Sequence, residues 1–515
     1  MPHVHPLELP EIIARVGYFL PLWAQVLSEH TCPVETALRP KTFLACLLVS
    51  KLWRQTLLPI LWTLYDAEGM SHIPKDTLTL YSPFFRTFYV QQGHIASNYC
   101  CTLLTSATLN PGAADLDQMR KILYTNRGLK SLEWNGPTTS EFLAIDDFTQ
   151  LPLLESLSIS HWNISAGRLG QALAPLAGSL KKLDLGWLEG ANNRGIWDQD
   201  ENESGNDVQA MEDDNNNLGD CPILPLVETF RVSGLPYGVD PTWIVQRCPN
   251  LTRLDLTLYR NDAEGGEEDH IISKRLADSL RNQCPKLKAF ALRGSIKQEH
   301  KMTLIRNCTA AAADNGLSEL VVVLSSVNKD TLDIITRHAS TLETLGILNS
   351  THEDPSMAYL FRMPVICPRL KWFSVAAWSC WEVKGQDVLR ALKVPTWRCR
   401  DLEILDVDIQ EPDPDFVSDE DLPPAGSRSD SIRVNKLFKD GPILGWYYHP
   451  ENYALQVDDD GDRLSLSEAV VRGLFEAVKG LEKLRLVRWS GMIFTRSSSR
   501  ASADFDGTPF IYFDY

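Results

Sequence analysis

Leu129-Lys-Ser-Leu-Glu-Trp134 is followed by Leu154-Glu-Ser-Leu-Ser-Ile159 and Leu180-Lys-Lys-Leu-Asp-Leu185, three hexads with apolar residues at the first, fourth and sixth places. The spacing returns at Leu251/Leu254/Leu256, Leu342/Leu345/Ile347, Leu402/Leu405/Val407 and Leu481/Leu484/Leu486. Aromatic or valine variants are Val227/Phe230/Val232, Leu287/Phe290/Leu292, Leu317/Leu320/Val322 and Leu370/Phe373/Val375. Successive copies start 25, 26, 47, 24, 36, 30, 25, 28, 32 and 79 residues apart. Self-similarity at such a period marks a repeat architecture and outranks any local propensity.

Most of these gaps lie at or just above the roughly 20 to 29 residues of a leucine-rich repeat. In an extended hexad alternate side chains face opposite ways, so the three apolar positions face a core and the residues between them face solvent. The chain must then return as a helix. Ile272, Leu276 and Leu280 have helical spacing, as do Val471, Leu474, Phe475 and Val478, the latter behind a capping box in Ser465-x-x-Glu468. Cys248-Pro249, Cys284-Pro285 and Cys367-Pro368 each precede a repeat, where proline disfavours helix in the residue before it. Phe85/Phe88/Val90 and Leu104/Ala107/Leu109 read as degenerate first rungs. The expected fold is α/β: a solenoid over residues 66–495, with parallel strands on its concave side and helices on its convex side. A chain of 515 residues exceeds one compact core, which stops growing near roughly 250 to 300 residues, but a stacked array escapes that limit.

The formal charge of −17 excludes broad nucleic-acid binding, which needs a concentrated basic face. Residues 198–220 hold nine acidic and no basic residues and residues 408–421 hold seven and none, together −16 of that −17. These stretches belong to insertions at 190–222 and 408–463, whose composition predicts disordered loops. No apolar run approaches the roughly 18 residues of a membrane span, and the N-terminus lacks the basic region of a signal peptide. Eleven cysteines without framework spacing fit reduced, packed thiols in a cytoplasmic or nuclear setting. No Gly-x-Ser-x-Gly, Walker loop or His-Glu-x-x-His occurs, so no enzyme activity and no cofactor are expected. Asp458-Asp-Asp-Gly-Asp462 imitates a calcium loop, but aligning its glycine puts Gln456 first and Ser467 twelfth, where acidic ligands are needed.

Residues 1–65 do not follow the repeat. Ile13, Val16 and Leu20, then Phe43 and Leu47, then Trp53 and Leu57 predict three short helices, with Pro10 in a first turn and Pro59 ending the third. Leu7-Glu-Leu-Pro-Glu-Ile-Ile13, with the later Leu47-Leu-Val-Ser-Lys-Leu-Trp53 and Pro59-Ile-Leu-Trp62, resembles the F-box. An F-box followed by leucine-rich repeats is similar to the substrate receptors of SCF-type ubiquitin ligases. The stretch from Pro21 to Pro40 is longer than a compact F-box has. The resemblance implies that Leu9, Pro10, Ile13, Leu48, Val49 and Trp53 form or support a surface for a Skp-family adaptor, and through it a cullin. It also implies that the repeats bind a protein substrate. The alternative is a repeat scaffold without ubiquitin transfer.

Alternation places Glu133, Asp184, Arg231, Asp255, Arg293, Ser374, Asp406, Asp408 and Arg485 on the solvent side of the strands, a polar groove of mixed sign. Trp372 lies beside the inward Phe373, with Trp378 and Trp381 close behind, and exposed aromatics of this kind act as binding hot spots. The candidate substrate-contacting residues are therefore Arg231, Asp255, Arg293, Trp372, Ser374, Trp378 and Asp406. Residues 496–515 read as a flexible or capping tail, with an aromatic end at Phe510-Ile-Tyr-Phe-Asp-Tyr515 that could pair as a strand.

Overall fold

The computed structural model describes residues 9–20, 23–27, 34–38, 41–90, 101–110, 116–135, 148–162, 166–188, 222–235, 242–258, 267–294, 298–311, 316–324, 329–349, 362–377, 397–409, 431–433, 446–448, 465–467, 474–476, 478, 480–489 and 492–496. The chain divides into two compact units, residues 1–26 with 34–261 and residues 27–33 with 262–515. The N-terminal helices thus belong to the same unit as the early repeats.

The first unit opens with helix α1 (Pro10–Phe19), strands β1 (Trp23–Leu27) and β2 (Val34–Leu38), and helices α2 (Lys41–Leu47) and α3 (Lys51–Leu61). The long stretch between the first two helices forms the two-stranded β1–β2 pair. Leu9 is the extended N-cap of α1 and Pro10 its first helical residue, where the missing N–H costs nothing. Ser50 caps α3 by accepting the Trp53 N–H at 3.2 Å, which gives the Leu-Val-Ser-x-x-Trp segment a local cause. Pro59 does not end α3; the helix runs on to Leu61. Ile13, Phe43, Leu47, Leu57 and Ile60 make the core of these helices. Gly17 keeps α1 close to α3, since a Cβ there would lie 2.5 Å from Leu57 Cδ2.

The repeat begins one rung earlier than its sequence pattern shows. Strand β3 (Leu64–Asp66) pairs in parallel with β4 (Thr87–Val90), Tyr65 opposite Phe88. Trp62 takes the first apolar position, and the Tyr65 and Phe88 rings stack at 4.6 Å. The sequence boundary at residue 65 therefore falls inside a strand, and an aromatic rung joins the helices to the array. Helix α4 (Lys75–Tyr81) bridges β3 and β4. Parallel strands then follow in chain order: β5 (Ser106–Leu109), β6 (Ser131–Trp134), β7 (Ser156–Trp162), β8 (Lys182–Leu188), β9 (Thr229–Leu235) and β10 (Arg253–Leu258). Returns include α5 (Leu116–Thr125), α6 (Ala166–Leu173) and the short α7 (Thr242–Val245).

In the second unit α8 (Glu267–Gln283), α9 (Gln298–Ala311), α10 (Lys329–His338) and α11 (Met363–Ile366) alternate with β11 (Ala289–Gly294), β12 (Glu319–Leu324), β13 (Thr344–Asn349) and β14 (Trp372–Ala377), followed by β15 (Ile404–Ile409). These strands pair in parallel and in register. Helices α7, α8 and α11 stop just before their Cys-Pro pairs, as expected. Strands β16 (Ser431–Arg433), β17 (Trp446–Tyr448), β18 (Ser465–Ser467), β19 (Leu486–Trp489) and β20 (Met492–Arg496) complete the unit. Strand β19 continues the parallel array, and β20 and β17 close it with antiparallel pairs. The 408–463 insertion is thus not all loop, since its Trp446-Tyr-Tyr448 and Ser431-Ile-Arg433 supply strands. Ser465 pairs with Arg433 in β18, so it is a strand residue and not a helix cap.

The apolar hexad positions are buried rung after rung, Leu157, Leu183, Leu320, Leu345 and Leu405 among them. Each full burial contributes about 1.5 to 3 kcal/mol. A turn of one form precedes four of the hexads: Leu251 N–H donates to Cys248 O, Leu287 to Cys284 O, Leu370 to Cys367 O and Leu402 to Cys399 O. Those four cysteines share one repeat position and are buried. Burial pushes the thiols of Cys284, Cys367 and Cys399 up to about 12, in keeping with inert packed thiols. Leu484 donates the same bond to Leu481 O, and Leu405 pairs with Val487. The last hexad is therefore Leu484/Val487/Trp489, three residues later than the leucines alone indicate.

Candidate interaction surfaces

On the N-terminal helices the described apolar exterior is large. Leu48 is 84% exposed, Val49 63% and Leu9 40%, and Pro10 is exposed as well. Leu44, one helical turn before Leu48, is also exposed, as are Ile12, within the Leu7–Ile13 motif, and Tyr18 and Phe19, which lie outside it. Ile13 is fully buried and Trp53 packs against the same core, so these two support the surface from beneath. Exposed aromatic and aliphatic side chains gathered on one small helical element have no role in packing its own core.

On the repeats, the residue between the second and third hexad positions points away from the helix-packed side. In the first unit the paired residues are Asp66, Tyr89, Thr108, Glu133, Ser158, Asp184, Arg231 and Asp255. Glu133, Ser158, Asp184 and Arg231 are half-buried, and this stretch of the face is open. Thr108 Oγ1 donates to Glu133 Oε2 at 3.1 Å, Asn135 Nδ2 donates to Glu133 Oε1 at 2.8 Å, and Ser160 Oγ donates to Asn135 Oδ1. Arg231 Nε lies 3.9 Å from Asp255 Oδ2, and Asp255 is buried. Burial raises the Asp184 carboxyl above its usual range, opposed by the charges of Arg231 and Lys182 and reinforced by those of Asp255 and Glu133.

The second unit presents the same column as Ala291, Val321, Gly346, Ser374, Asp406 and Arg488. Here Ala291, Val321 and Ser374 are buried, as are Arg293, Val323 and Leu348 one step further along the strands. This corrects the expectation that Arg293, Ser374 and Asp406 face solvent, and Asp255 in the first unit is corrected likewise. Ser374 Oγ instead donates to Asp406 Oδ2 at 3.2 Å within the buried layer. The physical reason is that these strands are apolar on both faces, as Val321-Val-Val323 shows, and a parallel sheet of that composition is covered on both sides. Trp372 is half-buried in register with Thr344 and Ile404. Trp378 and Trp381 lie outside the described residues, as do Asp458–Asp462 and Phe510–Tyr515. Arg485 is not a face residue; in the shifted last rung it follows the first hexad position, and Arg488 takes the face.

That position carries a feature that alternation alone does not single out. Lys130, Glu155, Lys181 and Glu228 alternate in sign across the first unit, and Glu343, Lys371, Glu403 and Arg485 across the second. Glu155 meets Lys130 at 3.4 Å and Lys181 at 2.7 Å; Glu343 meets Lys371 at 2.6 Å and Arg485 meets Glu403 at 3.4 Å. The Lys181 hydrogen bond holds the Glu155 carboxyl below its usual range. Exposed pairs of this kind contribute more to register than to stability.

No family model matches the chain, and no curated protein matches it. Among solved structures, the leucine-rich-repeat-containing protein LegL7 from Legionella pneumophila is 13% identical over 63% of this chain and 85% of that one, with a TM-score of 0.31. The parallel α/β repeat fold stands on the strand order and register of each unit.

Proposed function

We propose that this chain is a non-catalytic substrate-recognition adaptor of an SCF-type ubiquitin ligase, its N-terminal helices binding a Skp-family adaptor and its repeats binding a protein substrate. The observation that carries the reading is the apolar exterior of the helices at Leu9, Leu44, Leu48 and Val49, where the F-box-like segments fall. Exposed anchors of this kind bury into a partner's groove and supply most of the affinity of such contacts. Holding a substrate near the transfer enzyme then raises its effective concentration without chemistry by this chain.

The test is co-purification of the full chain with a recombinant Skp-family adaptor, with Leu48→Asp/Val49→Asp as the variant. Both side chains are exposed, so the variant folds and loses the adaptor. No recovery of adaptor by the wild type contradicts the ligase reading. Recovery without ubiquitin transfer to a bound partner leaves the scaffold.

A further inference from the structure

We propose that the open strand face of the first unit binds an extended segment of a partner protein that brings a lysine or arginine side chain to the Asp184 carboxylate. The proposal deepens the substrate-binding half of the function above and rests on it for the face, while the adaptor contact is independent of it.

Asp184, Arg231 and Asp255 are direct neighbours on β8, β9 and β10, one guanidinium between two carboxylates. Arg231 leans on the buried Asp255, 3.9 Å away, and a buried carboxylate needs that cation. Asp184 stands differently. It reaches solvent, and among the described residues only the charges of Arg231 and Lys182 act on it favourably, with no hydrogen bond to its carboxylate. Asp255 and Glu133 add negative potential at the same spot. A half-buried carboxylate that shares its cross-strand cation with Asp255 and accepts no hydrogen bond among the described residues is completed by a further cation, through a charge-assisted hydrogen bond.

The surroundings fit an extended chain. Thr108, Asn135 and Ser160 on the neighbouring rungs donate to Glu133 and to one another, and their oxygens, with the Ser158 hydroxyl, keep lone pairs that can accept the N–H groups of an extended chain. Gly186, two residues beyond Asp184, lets β8 approach the β7 backbone closely, since a Cβ there would collide with the Ser160 carbonyl. The carboxylates of Asp184, Asp255 and Glu133 outnumber the Arg231 and Lys182 cations at this spot, a local field that draws a cationic segment in and repels an anionic one.

Fluorescence polarisation of the full chain with a labelled alternating Lys-Ser peptide, and with its Glu-Ser counterpart, tests this. Asp184→Asn is expected to weaken Lys-Ser binding by about fivefold or more, while Asp76→Asn/Asp117→Asn, which removes twice the charge from exposed positions on α4 and α5, weakens it by less than about twofold. Relieving a desolvated carboxylate also leaves the thermal midpoint of Asp184→Asn equal to or above wild type, so lost binding is not lost folding. An Asp184→Asn effect no larger than that of the control pair, or tighter binding of the Glu-Ser peptide, overturns the proposal. Ser158→Trp obstructs the same face without touching its charges. If it blocks binding while Asp184→Asn does not, the face stands and the cation contact fails; if neither matters, the face fails as well.

Discussion

Ser158 and Val321 occupy the same place in the repeat, between the second and third apolar positions, yet Ser158 lies in an open polar face and Val321 is buried. The hexad leucines fix only which side meets the helices; the residue between them decides whether the other side is left to solvent. Between the buried Asp66 and Asp255, the first unit places Glu133, Ser158, Asp184 and Arg231 there, whereas the second places Ala291, Val321, Gly346 and Ser374 before its buried Asp406. One unit thus leaves part of its second face to solvent, and the other buries its described second face over β11, β12 and β14.

The sharpest way to break this contrast is to place a carboxylate at both positions. Val321→Asp should lower unfolding free energy by about 3 kcal/mol or more, since it buries a charge without a partner, whereas Ser158→Asp should change it by no more than about 0.5 kcal/mol. Urea titrations of the two variants check this. Beneath both faces the leucines do equal work, so Leu157→Ala and Leu345→Ala should each cost about 2 to 5 kcal/mol by the same measurement.

A second pair sharpens the comparison. In the first unit Asn126 clips two rungs together, its Oδ1 accepting the Leu104 N–H and its Nδ2 donating to Cys101 O, both at 2.8 Å. In the second, His338 Nδ1 accepts the Leu317 N–H at 3.1 Å. The amide clip is indifferent to pH; the imidazole clip requires the neutral ring. Burial, with Arg337 nearby, depresses the His338 pKa from 6.5, so the unfolded chain takes up the proton first. The stabilisation is therefore complete above about pH 6.5 and is lost as pH falls through the folded-state pKa. His338→Asn should flatten that part of the stability profile, whereas Asn126→Ala should cost about 1 to 3 kcal/mol at every pH by stranding buried backbone groups. Denaturation curves between pH 4 and 8 check both.

The smallest effect concerns the alternating charges after the first hexad position. Lys181→Ala removes an exposed partner of Glu155 and should leave the midpoint nearly unchanged, with any difference erased by salt.

The repeat itself was plain in the sequence, because burying three apolar side chains per rung forces a spacing no other structure requires. Its ends were not. Leu481-x-x-Leu484-x-Leu486 and Leu484-x-x-Val487-x-Trp489 both satisfy the pattern, and the strand register that sets Leu405 opposite Val487 selects the second. Trp62 and Tyr65 make a first rung from aromatics that a leucine pattern passes over. The closed face of the second unit was legible in Val321-Val-Val323, where alternation stops; attention to Arg293, Ser374 and Asp406 alone hid it. On the helices, the resemblance points to Leu9, Leu48 and Val49, which are exposed, whereas no motif marks the exposed Tyr18 and Phe19 at the end of α1.

Site-resolved maleimide labelling of the native full-length chain, with Ser158→Cys and Ser374→Cys introduced separately, measures the two faces directly. The thiol of the Ser158→Cys variant should react at close to the rate of a free thiol. That of the Ser374→Cys variant should be slower by about two orders of magnitude or more, because thiolate formation and access both fail in the buried layer. Equal rates in the two variants would contradict the account.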